Sequence, residues 1–89
     1  MLRWIHYVLS CSDGSYYSGS TTDIVRRVHE HNQGKGAKYT RSRLPVNIIY
    51  FEKYPDRSSA QKAEAAFKKL NRKQKEDFIE LHWNQSESR

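Results

Sequence analysis

The sequence predicts one small α/β domain with its elements in the order β-β-α-β-α-α. Three observations carry that prediction. Two segments, 4–9 and 46–51, have the aromatic and β-branched content of strands, and the first alternates sides with a period of two. Three further segments set apolar residues at helical spacing behind residues that cap helices. The chain has 89 residues, which gives room for one core and none for a second domain.

Along the chain, Trp4, His6 and Val8 take one face of the first strand and Ile5, Tyr7 and Leu9 the other. Ser12-Asp13-Gly14-Ser15 carries the Asp-Gly signal of a tight turn, so Tyr16-Tyr17-Ser18 reads as a short return strand ending at Gly19. The hairpin brings Tyr7 and Tyr17 into one neighbourhood, while the adjacent Tyr16 and Tyr17 must face opposite ways. Ser20-Thr21-Thr22-Asp23 supplies N-cap candidates for a helix over 24–32 that Gly34 ends. At 100° per residue Ile24, Val28 and His31 share its inner face, with Arg27 at the edge.

Gly34-Lys35-Gly36-Ala37-Lys38-Tyr39-Thr40-Arg41 reads as a cationic loop broken by glycines, and the third strand follows Pro45. Asp56-Arg57-Ser58-Ser59 opens a second helix, with Ser58 and Gln61 spaced as a capping box. Ala60, Ala63, Phe67 and Leu70 form its apolar stripe, and Glu64 falls inside the stripe's border. Asn71 caps a third helix from 72 to about 82, packed through Phe78, Ile79 and Leu81. Residues 1–83 are thus the expected domain and 84–89 a flexible polar tail.

Lys and Arg number 16 against 10 Asp and Glu, a net +6, so a polyanion is the first partner to consider. The excess is local: Arg26, Arg27, Lys35, Lys38, Arg41 and Arg43 face only Glu30 in their segment. A single cysteine, Cys11, excludes an internal disulfide, and there is neither a secretory signal nor an apolar run of spanning length. A soluble cytoplasmic protein is expected. No Cys-x-x-Cys or ordinary His spacing supports zinc, and the Gly-Lys-Gly loop lacks the Walker spacing of a nucleotide cradle.

Tyr7 in its strand, Tyr17-Ser18-Gly19, the run from Thr22 to Asn32 with Arg27 and His31, the loop from Gly34 to Arg41, and Glu64 together resemble the GIY-YIG nuclease superfamily. The resemblance covers about 4–80 and is nearest to its small stand-alone bacterial YhbQ-type members. Ile5-His6-Tyr7 lacks the glycine of the name, and Ser18 replaces its isoleucine. The resemblance implies a three-stranded antiparallel sheet flanked by helices, and phosphodiester hydrolysis with one divalent cation. It implies a catalytic face built from Tyr7, Tyr17, Arg27, His31 and Glu64, with Glu64 as metal ligand; other members of the superfamily attach DNA-binding domains, and none is expected here.

Those side chains suit the chemistry. Hydrolysis needs an activated water, neutralised phosphate charge and help for the leaving alkoxide. Tyr7 would position or deprotonate water if neighbouring positive charge lowers its pKa, and His31 would relay the proton. Arg27 would fork onto the non-bridging oxygens. A lone Glu64 suits Mg²⁺ or Mn²⁺, which keeps several waters. Arg26, Lys35, Lys38, Arg41 and Arg43 would hold the nucleic-acid backbone, DNA in the first instance, without reading sequence.

The expected function is a Mg²⁺-dependent endonuclease or structure-selective DNA nuclease of GIY-YIG type, taken as a monomer, with repair or recombination as the process the resemblance implies. The rival is a basic binding module that grips nucleic acid through 26–43 without useful catalysis. A third reading is an accessory subunit whose basic face meets an acidic protein. Glu64 also has a bland reading, a surface residue paired with Lys68 at i+4.

Overall fold

A computed structural model describes the backbone of residues 3–87 and the side chains of residues 3–82. The strands β1 (Trp4–Ser10), β2 (Tyr16–Thr21) and β3 (Asn47–Tyr54) form one antiparallel sheet in the order β2-β1-β3. The helices are α1 (Ile24–Asn32), α2 (Lys38–Arg41), α3 (Arg57–Lys68) and α4 (Arg72–Glu87). The order is β-β-α-β-α-α with one added helical turn, α2, inside the segment expected to be a loop.

Alternation along the central strand divides the core in two. Ile5, Tyr7 and Leu9 join Cys11 and Val46 in a layer that Ile24 and Val28 of α1 cover. Val8 on the other face packs with Tyr50 of β3 and Phe67 of α3, completed by Phe78 and Ile79 of α4. Tyr17 belongs to the first cluster and Tyr16 to the second, as their adjacency in a strand requires.

The helices α1, α3 and α4 each start on a side chain that accepts from an otherwise unpaired amide. Asp23 Oδ1 accepts from Arg26 N at 3.1 Å, and α1 keeps the expected bounds. Asn71 and Gln74 exchange bonds at 2.9 and 2.8 Å to open α4. Three expectations are corrected. The cap of α3 is Asp56, which accepts from Ser59 N at 2.8 Å, so Ser58 lies within the first turn. Leu81 is 58% exposed and does not pack back. The backbone of α4 stays helical to Glu87, past the expected end near 82, while the side chains of the expected tail 84–89 lie outside the described residues.

β2 also continues through Gly19 to Thr21. Gly19 sits opposite Tyr7 in the antiparallel register. A Cβ there would lie 2.6 Å from the Tyr7 hydroxyl oxygen, so the glycine is the space the tyrosine occupies and not a strand end. No helix among the described residues is long and apolar enough to cross a membrane.

Candidate active site

The order of the first three elements sets Tyr7 of β1, Tyr17 of β2, and Arg27 and His31 of α1 around one point. The Tyr7 hydroxyl is 3.0 Å from His31 Nε2. His31 Nδ1 is 2.9 Å from Thr40 Oγ1, which is itself 2.9 Å from the carbonyl oxygen of Ala37. A carbonyl only accepts, so Thr40 spends its proton on Ala37 and must accept from His31 Nδ1–H. His31 Nε2 therefore carries the lone pair, and Tyr7 donates to it. The added turn α2 exists in this site to deliver Thr40.

Gly36 explains how the loop closes. A Cβ on it would collide with His31 Nδ1. The glycine-broken segment thus seats the imidazole.

Burial governs the protonation states. Tyr7 is 1% exposed and its hydroxyl is pushed up to about 12, chiefly by burial, while the Arg27 guanidinium beside it works to lower that value. His31 is fully buried, and burial, then the Arg27 charge, hold it below its ordinary value and therefore neutral. Solvent meets the cluster through Arg27, half-buried Tyr17 and Glu64 instead. Arg27 Nη1 donates to Glu30 Oε1 at 3.1 Å, which steadies the guanidinium. The Tyr17 ring packs edge-on to His31 at 5.3 Å between centroids.

Glu64 approaches from α3. Ser20 Oγ of β2 donates to its Oε1 at 2.7 Å and Lys68 Nζ to its Oε2 at 2.8 Å, and the Glu64 side chain is 20% exposed. Its negative charge acts on Tyr7 and on His6, which places it within electrostatic reach of both faces of β1. The i+4 pair with Lys68 forms as the bland reading expects, and Ser20 adds the tie to the sheet. No group of three His, Cys, Asp or Glu side chains assembles among the described residues. A single carboxylate fits Mg²⁺ or Mn²⁺ only with waters and phosphate oxygens as the other ligands. The donor set meets that requirement once Lys68 leaves Oε2.

The expected backbone-holding cations divide. Lys35, Lys38 and Arg41 are exposed, and Arg26 is exposed with Glu30 at 3.9 Å. Arg43 is committed to the fold: it bonds Asp13 at 3.0 Å and the Tyr39 carbonyl at 2.8 Å, and its guanidinium lies 3.9 Å over the Tyr39 ring.

A model of the GIY-YIG catalytic domain matches residues 3–77. The chain belongs to the GIY-YIG family. That family is one of nucleases. The chain is also similar to small UPF0213 proteins. One from Listeria monocytogenes is 60% identical over 73 residues, covering 82% of each chain. One from Streptococcus agalactiae is 52% identical over 79 residues, covering 89% of this chain and 90% of its own. Two solution structures share the GIY-YIG chain's fold. UPF0213 protein BH0048 of Bacillus halodurans has a TM-score of 0.59 at 42% identity, covering 91% of this chain and 85% of its own. Protein EF2693 of E. faecalis has 0.62 at 54%, covering 91% and 86%.

Thr40 is the residue that sequence reasoning missed. Its signal was slight, a threonine among cations, and its partner His31 is nine residues earlier in the chain. His6 is also buried. It packs on the opposite face of β1 from Tyr7, bonded to Ser18 Oγ at 2.9 Å, with its pKa lowered to about 4 by burial.

Proposed function

We propose that this GIY-YIG domain is a metal-dependent endonuclease that hydrolyses phosphodiester bonds in DNA. The observation that carries the reading is the directed chain Tyr7 to His31 to Thr40 with Arg27 beside the tyrosine. A neutral imidazole with its lone pair on the Tyr7 hydroxyl is a proton acceptor already aimed. As Tyr7 Oη takes a proton from the attacking water, its own proton passes to His31 Nε2, so no tyrosinate has to persist in the buried site. The incoming hydroxide bonds to phosphorus as the bond to the leaving deoxyribose oxygen breaks; that oxygen departs as an alkoxide and takes a proton from solvent, and His31 returns its extra proton through Tyr7.

Arg27 has two tasks in this reading. At rest it lies against the Tyr7 hydroxyl and Glu30. With substrate, its fork moves onto the non-bridging oxygens, neutralising their charge and opening the hydroxyl to water. Tyr17 presents its hydroxyl beside the same phosphate, and Lys35, Lys38 and Arg41 hold the backbone further along. Glu64 would hold the divalent cation, which supplies Lewis-acid stabilisation of the phosphate and the leaving oxygen.

The test is cleavage of branched, nicked, single-stranded and duplex DNA with Mg²⁺ or Mn²⁺. Cutting by the wild type should vanish in Glu64→Ala and Tyr7→Phe. Equal cutting by all three proteins would remove the enzyme and leave a nucleic-acid-binding module.

A further inference from the structure

A cleft of about 320 Å³ opens beside the site, and its lining includes Tyr16, Tyr17, Tyr39, Lys68 and Lys75. Tyr16 and Tyr17 belong to opposite faces of the sheet, so a cleft touching both straddles the edge of β2 that β1 leaves unpaired. Its aromatic character is organised. Tyr17 and Tyr39 stack at 6.0 Å with planes 22° apart, Arg43 lies on Tyr39, and Arg72 lies 4.0 Å over Tyr16. Tyr39 is 38% exposed. Lys68, Lys75, Phe67 and Ser18 complete the lining, and no carboxylate lines it among the described residues.

Rings interleaved with cations suit one class of ligand. Unpaired nucleobases stack on aromatic and guanidinium planes while their phosphates meet lysines, whereas a duplex keeps its bases inside and offers only phosphates. The cleft adjoins both halves of the site: Tyr17 meets His31, and Lys68 holds Glu64. We propose that this cleft is a nucleobase-stacking subsite that takes a single-stranded segment next to the phosphodiester being cut. Its place beside a scissile bond rests on the nuclease reading above; its preference for unpaired bases rests on the cleft alone. The rim lysines Lys68 and Lys75, and Arg72 over Tyr16, come from α3 and α4, outside the segment that sequence reasoning assigned to backbone contact.

The experiment is fluorescence anisotropy with one labelled oligonucleotide as a single strand and as a blunt hairpin duplex, in chelator so that binding is read without cleavage. The single strand should bind at least about 5-fold tighter at equal salt. Tyr39→Leu and, separately, Tyr16→Leu should each weaken single-strand binding about 5- to 10-fold and duplex binding less than about 2-fold, within the range known for one stacked base. In the unaltered protein, ultraviolet crosslinking of a bromodeoxyuridine-substituted single strand should place adducts on Tyr16, Tyr17 or Tyr39, a readout independent of variant folding. Equal or tighter duplex binding, unchanged preference in both variants, or adducts confined elsewhere would overturn the subsite. Cleavage is scored separately with Mg²⁺. Preference without cleavage keeps the cleft and removes the nuclease, and cleavage without preference does the reverse.

Discussion

The Tyr7 hydroxyl donates to His31 Nε2 across 3.0 Å, joining the central strand to a helix residue 24 positions later. This bond serves stability and chemistry together, so Tyr7→Phe should damage both. The rate of DNA cleavage in single turnover should fall by at least about 100-fold, the scale of a lost acid–base group. Urea unfolding should show a loss of about 1 to 3 kcal/mol, because the buried imidazole nitrogen is left without a donor. A variant that loses stability but cuts normally would take Tyr7 out of the reaction.

Acid should destabilise the fold before it protonates surface carboxylates. His6 titrates at about 4 and His31 below its ordinary value, both because burial penalises the charged ring. Between about 6.5 and 4 the unfolded chain binds protons that the folded chain refuses, so stability is full above about 6.5 and falls as pH drops through that window. His6 alone contributes up to about 3 kcal/mol to the difference. Urea titrations near pH 7 and near pH 5 check this, and His6→Asn should shrink the gap; equal stability at the two values would contradict it.

Lys68 competes for the carboxylate that would hold metal. Its ammonium is 2.8 Å from Glu64 Oε2. Lys68→Met should therefore lower the Mg²⁺ or Mn²⁺ concentration needed for half-maximal cleavage by about 3- to 10-fold, even as DNA binding weakens. A metal titration at saturating DNA separates the two effects. An unchanged or raised metal requirement would mean that Lys68 does not guard Glu64.

Gly19→Ala tests the packing of Tyr7. The added methyl would meet the hydroxyl at 2.6 Å and Cζ at 2.8 Å, and the ring is walled in by the core. Overpacking of this kind costs about 1 to 3 kcal/mol. Cleavage should fall further than stability does, because the ring tip that must move is the reacting one. Thermal melts beside cleavage rates measure both.

The hairpin, α1 and the nearness of Tyr7 and Tyr17 are legible in the sequence because they follow from local rules, a turn dipeptide, a cap and a 3.6-residue period, whereas the meeting of the tyrosines with Arg27 and His31 comes from the family resemblance. What escaped depends on contacts between distant segments. Gly19 looks like a strand end until Tyr7 lies across it, and Thr40 looks like loop until His31 needs an acceptor. Asp56 and Ser58 are both good caps, and the chain's actual entry into α3 decides between them. Nothing in the segment of Arg72 and Lys75 shows that they come to lie over Tyr16 and Phe67.

β1 carries His6 and Tyr7 side by side, one aimed at each helical layer. A shift of that strand by one position against its neighbours would trade them, sending an imidazole toward Thr40 and a phenol toward Phe67. Such a molecule would keep most of its secondary structure and possess no reactive centre. Circular dichroism would pass it as intact, and only an assay of turnover per molecule would expose the misaligned fraction.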